Sequence, residues 1–150
     1  MPNISQSSAA ASGSLRFSSK LLTFTGGSTL GLHGTASTIF TCTGEVLILS
    51  LVPFNPTTSL TGATATLTLG ITGSTTLFIG TTTATDIAAG KFWIDATPDA
   101  NGIALPAAMQ NIVITDDVIC SSTHVSADVV TGTIRFDCWW LPLSSDGNLA

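Results

Sequence analysis

In Thr64-Ala65-Thr66-Leu67-Thr68-Leu69, hydroxylic and aliphatic side chains alternate strictly, and this period of two most limits what the chain can become. Successive side chains of a strand point to opposite faces, so Ala65, Leu67 and Leu69 fall on one side and three threonines on the other. That is a half-buried strand whose wet face carries no charge. The same period runs through Thr133–Trp140, with Ile134, Phe136, Cys138 and Trp140 on one side and Thr133, Arg135, Asp137 and Trp139 on the other. Trp139 is the exception, a large apolar group on the polar face.

Elsewhere short apolar segments are bounded by Gly, Pro, Asn and Asp. Strands are expected near Ser14–Ser18, Lys20–Thr25, Ser37–Thr43, Glu45–Val52, Ala63–Gly70, Thr75–Gly80, Lys91–Asp95, Gln110–Thr115, Val118–Ser122 and Thr131–Trp140. Thr, Ser and Gly fill the spaces between apolar residues, while Glu and Lys, the usual markers of an exposed helix, are almost missing. The runs ending in Gly70 and Gly80 flank Gly73-Ser74 and read as a hairpin. One helical turn is expected at Ile87-Ala88-Ala89, capped by Asp86 and ended by Gly90. Many short strands with frequent turn signals make the chain all-β, a β-sandwich or small barrel of the jelly-roll kind. Residues 1–14, Ser/Ala-rich and without periodicity, are expected to be a flexible arm with a reach on the order of 45 Å at about 3.3 Å per residue. Residues 15–150 are expected to form a single β-sandwich domain.

Composition excludes several roles. The chain has 150 residues, of which only 9% are charged, against about 25% in a typical domain. Its net charge is −5 and its mean hydropathy +0.50. Arg16, Lys20, Lys91 and Arg135 are dispersed and outnumbered by acids, so nothing resembles the basic footprint that neutralises nucleic-acid phosphates. The longest nearly unbroken apolar run, Val46–Phe54, is far short of the roughly 18 residues a spanning helix needs, so no membrane partner is expected. The first residues, MPNISQSSAAASGS, lack the cationic start and apolar stretch of a secretory signal, which points to synthesis in the cytoplasm. Cys42, Cys120 and Cys138 are odd in number and form no Cys-x-x-Cys pair; buried thiols are the expected state.

Catalysis is difficult to assemble from these residues. Neither His33 nor His124 has a partner at metal-ligand spacing, and no nucleophile elbow, phosphate loop or zincin signature occurs. Asp95, Thr97, Asp99 and Asn101 alternate like a calcium loop, but the closing acidic ligand is missing and Pro98 intrudes, so a surface turn is expected. The expectation is a protein that is not an enzyme and needs no cofactor or metal. What remains is surface physics: Glu45–Val52 is an aggregation hazard if exposed, so it is either buried in an assembly of copies or the central strand of a monomeric sandwich.

Two stretches, TATDIAAGKFWIDATPDA (83–100) and DCWWLPLSSDGN (137–148), resemble small virion proteins of tailed bacteriophages, of the kind associated with the head as capsid decoration or cement proteins. The resemblance covers roughly residues 35 to 150 and rests on sequence habit rather than on chemical motifs. It implies an all-β protomer, commonly a homotrimer, seated on the exterior of the phage head where copies of the major capsid protein meet. It carries no catalytic residues. Within that reading, Leu15, Phe17, Leu22, Phe24, Trp139 and Trp140 are the expected capsid or subunit contacts. The rival expectation is a fibre or tail-tip adhesive module that binds host-surface carbohydrate, with an exposed Trp93 or Trp139 as stacking platform. Its counterpart places Trp93, Trp139 and Trp140 in the core or a subunit interface.

Overall fold

The computed structural model describes residues 14–26, 30–102 and 104–150. The expected arm falls almost wholly outside the described residues. Among these, the alternating segments form ten strands: β1 (Arg16–Phe24), β2 (Ala36–Phe40), β3 (Cys42–Thr43), β4 (Val46–Phe54), β5 (Thr66–Ile71), β6 (Ser74–Thr83), β7 (Ile112–Ile114), β8 (Val118–Ser122), β9 (Gly132–Pro142) and β10 (Asn148–Leu149). Eight of them make two four-stranded antiparallel sheets, ordered β1-β9-β4-β7 and β2-β8-β5-β6, and β3 pairs with β10 apart from both. Four of the pairs, β1–β9, β2–β8, β4–β7 and β5–β6, are nested about the β5–β6 hairpin, as when one long hairpin is rolled up, and the rolling also sets β9 beside β4 and β8 beside β5. The expected sandwich is therefore present.

Its core follows the alternation. On β9, Ile134, Phe136, Cys138 and Trp140 are buried, while Arg135 and Trp139 are exposed. On β4 a bulge between Ile48 and Ser50 shifts the phase, so that Val46 and Ile48 before it and Leu51 after it all reach the interior. Val46–Val52 is thus a central strand flanked by β9 and β7. Trp93 is completely buried, its ring edge-on to Phe136 at 6.5 Å between centroids, and its indole N–H donates to Thr82 Oγ1 at 2.9 Å. Asn55 is equally buried but fully bonded: its amide donates to the Thr58 and Ile87 carbonyls, and its oxygen accepts from Thr57 N–H and Thr133 Oγ1. Gly132 is required where β9 begins, since its φ is +125° and a Cβ there would sit 2.7 Å from Leu60 Cα.

Several expected boundaries move. Ser14–Ser18 and Lys20–Thr25 are one strand, β1, because every residue from Arg16 to Phe24 finds a partner on β9. Ser37–Thr43 divides at Thr41 into β2 and β3, which pair with different strands. Lys91–Asp95 forms no ladder; Phe92 makes isolated bridges to Phe54 and Asp99 as the chain crosses the sheet margin. The helical turn lies three residues earlier than expected, at Ala84–Asp86, so Asp86 is inside it rather than its cap. A second such turn, Ala107–Met109, was not anticipated. The hairpin forms as expected, with Ile71 opposite Ser74. Thr68 is not wet: it is buried, and its hydroxyl has no hydrogen-bond partner.

Candidate interaction surface

Several titratable groups have structural employment. Asp128 accepts from the backbone N–H of His33 at 2.8 Å and pairs with His33 Nδ1 at 2.6 Å, tying the loop before β2 to the loop after β8. These bonds hold the Asp128 carboxyl below its ordinary pKa. His124 Nδ1 accepts from Ser126 N–H. Asp95 accepts from the backbone and hydroxyl of Thr97, and Asp99 from Asn101 N–H, so this stretch does turn work. Cys120 and Cys138 are free and buried, and burial pushes both thiols up to about 12; Cys42 is half-buried and raised by burial and by Asp117. Thiols so placed are poor nucleophiles. Among the described residues no group of three or more His, Cys, Asp or Glu could hold a metal ion, and no helix is long and apolar enough to cross a membrane.

The conspicuous surface is the outer face of the β1-β9-β4-β7 sheet. Register places its side chains in four rows across the strands. The first row is Val113, Leu47 and Leu141; the second is Ser50, Trp139 and Phe17; the third is Val52, Asp137 and Ser19; the fourth is Phe54, Arg135 and Leu21. Phe17 and Trp139 lie against each other with centroids 4.8 Å apart, yet each leaves about half of its surface exposed, 50% and 46%. Leu15, Leu21 and Val113 are more than half exposed. The charged groups within the rows satisfy one another: Asp137 accepts from Ser19 Oγ at 2.6 Å and from Arg135 Nε at 2.8 Å, and the Arg135 guanidinium stands over the Phe54 ring at 5.5 Å. At the margin where β7 stops short, Phe92 packs on Phe54, and Val52, Phe92, Ile94, Gly102 and Leu105 line a hollow of about 170 Å³.

The expected contact residues separate into two groups. Leu15, Phe17 and Trp139 are exposed on or beside this face. Leu22, Phe24 and Trp140 are buried, because they occupy the opposite phase of the same strands and point into the sandwich. Trp140 also donates to Ser18 Oγ at 2.9 Å, and Arg16 stands over its ring. Trp93, one of the two suggested stacking platforms, is likewise a core residue. Leu21 and Val113 belong to the exposed face but were not singled out from the sequence. The signal for Leu21 was available: Leu15, Phe17 and Leu21 share odd numbers, a parity lost when the segment is divided at Ser19.

No protein-family model matches this chain, and no curated protein matches it. Among solved structures, a chain of the cyanophage Pam1 capsid asymmetric unit is similar, with a TM-score of 0.50 and 17% identity over 85% of this chain and 84% of that one. At that identity the likeness is one of fold, and it extends over more than four fifths of each chain.

Proposed function

We propose that this chain is a structural virion protein, not an enzyme: a decoration or cement protein that binds the outside of an assembled phage head and stabilises the shell. The observation that carries this reading is the fold shared along the length of a chain from a cyanophage capsid asymmetric unit. The nested strand order supports it as the double Greek key of a jelly roll, an architecture used in viral capsid domains. The partners are the major capsid protein and further copies of this chain, as a homotrimer, with Leu15, Phe17 and Trp139 offered to one partner or the other.

A cement protein stabilises a shell only by binding the assembled lattice more tightly than loose subunits, and several contacts from one oligomer multiply weak affinities. The test is sedimentation of the purified protein with expanded capsids and, separately, with unassembled capsid protein. Retention by capsids alone is expected; no retention, or equal binding to loose subunits, overturns the reading. The adhesive alternative is favoured by one feature: Trp139 is an exposed ring beside the polar trio Ser19, Asp137 and Arg135. Glycan-array binding that disappears in Trp139→Ala would support it over the shell role.

A further inference from the structure

We infer that the outer face of the β1-β9-β4-β7 sheet is the surface through which copies of this chain associate, with the Phe17–Trp139 pair at its centre. This deepens the assembly reading above by saying which partner the face takes. Its first support is area. The half-exposed aromatic pair leaves about 200 Å² of ring surface in water, and its aliphatic neighbours bring the patch into the 300–600 Å² range of the largest on a typical monomer. A standard interface covers about 800 Å² per partner, of which about 500 Å² is apolar, so one such face supplies most of what an interface needs.

Charge selects the occupant. Eight of the nine acidic residues lie in connections between strands, and the ninth, Asp137, is neutralised on the face by Arg135. The connections of neighbouring copies repel one another, whereas these faces, gathered about the threefold axis of a trimer, meet without an unpaired charge. A second copy is therefore tolerated here and disfavoured where the acidic loops lie. The β1 edge of the sheet is guarded against the same partner. Lys20 stands at the middle of edge strand β1, in the phase that points inward, and its ammonium reaches the Thr38 carbonyl of β2 at 3.5 Å. A charge held there blocks strand-to-strand pairing of two β1 edges, which would bring two Lys20 residues face to face.

The test is the mass of the full-length protein by sedimentation equilibrium between about 1 and 100 µM. The wild-type chain is expected to sediment as an oligomer, while Leu21→Glu and Trp139→Gln each weaken association by thirtyfold or more, the effect of losing a central aromatic or apolar anchor. Val125→Glu, on an exposed loop away from the face, leaves the mass unchanged. Circular dichroism melts of each variant exclude misfolding as the cause. A wild-type monomer throughout this range overturns the inference, leaving the face to the chain's own first thirteen residues or to the shell, as does an oligomer that both face variants leave intact. Capsid sedimentation on the same samples separates the two proposals: oligomers that ignore capsids sink only the shell role, and monomers that bind capsids sink only this inference.

Discussion

The two outer faces of the sandwich are built from the same period of two and end in opposite surfaces. On the β2-β8-β5-β6 sheet the outward positions hold Ala36 and Thr38, Ile119 and Ser121, Thr66 and Thr68, and Thr83, with no charge and no exposed large apolar side chain among them. Thr66 on β5 and Thr123, just past the end of β8, hydrogen-bond through their hydroxyls at 2.9 Å. On the β1-β9-β4-β7 sheet the corresponding positions hold Phe17, Leu21, Trp139, Leu47 and Val113. The exposed positions of the first sheet, Ala36, Thr38 and Thr83, show that small and hydroxylic side chains can finish a sheet surface without Lys or Glu. The apolar groups of the second are therefore not a general consequence of low charge. They are concentrated on one side, as expected of a surface that meets another protein.

The adjacent tryptophans give the largest contrast. Trp140→Ala, on the inner phase, is expected to lower unfolding free energy by about 3–5 kcal/mol. Trp139→Ala, on the outer phase, loses its half-covered contact with Phe17 and should cost only about 1 kcal/mol in urea titrations run at protein concentrations low enough to hold both chains monomeric. Comparable losses at both positions would mean that the outer face contributes to folding as a core does. Next in size, Thr68→Val removes a buried hydroxyl without a partner and is expected to raise stability by about 1 kcal/mol, read as a shift in urea midpoint at constant slope. A fall in stability would show that the hydroxyl is satisfied and that the threonine face is wetter than its burial implies.

Smaller still is Thr38→Lys, which places a charge on the exposed threonine face; stability should move by no more than about 0.5 kcal/mol and oligomer mass not at all. The smallest effect concerns the His33–Asp128 tie. Asp128 has a folded pKa below its unfolded one, so its contribution is complete above the ordinary carboxylate pKa and is lost as pH falls through the depressed folded value. Asp128→Asn should flatten that acid limb of the stability curve while leaving the neutral region parallel to wild type.

How much was legible depended on how local the cause was. Val118–Ser122 coincides with β8, and the inward set of β9 was read correctly, because alternation is written in consecutive residues. What failed had distant causes. Nothing within residues 14–25 says that the chain continues straight through Ser19; the unbroken β9 partner does, more than a hundred residues away. The division at Ser19 placed Leu22 and Phe24 with Leu15 and Phe17 as contacts, although they lie on opposite faces. The bulge in β4 and the bridging role of Phe92 arise from pairing in the same way.

By itself the sequence determined that this protein is built of strands, that threonine takes many of the polar strand positions where Lys and Glu are usual, and that Trp139 is out of place on a polar face. Those are properties of neighbouring residues and of the two-residue pleat. Only the tertiary structure decided that Phe17 lies against Trp139, that Leu21 and Val113 join them, and that the acids are left to the loops while Asp137 is neutralised where it stands. The reason is physical: a strand's faces follow from its own residues, but which strands lie side by side is settled by backbone hydrogen bonds between distant segments. A surface patch exists only after that choice is made.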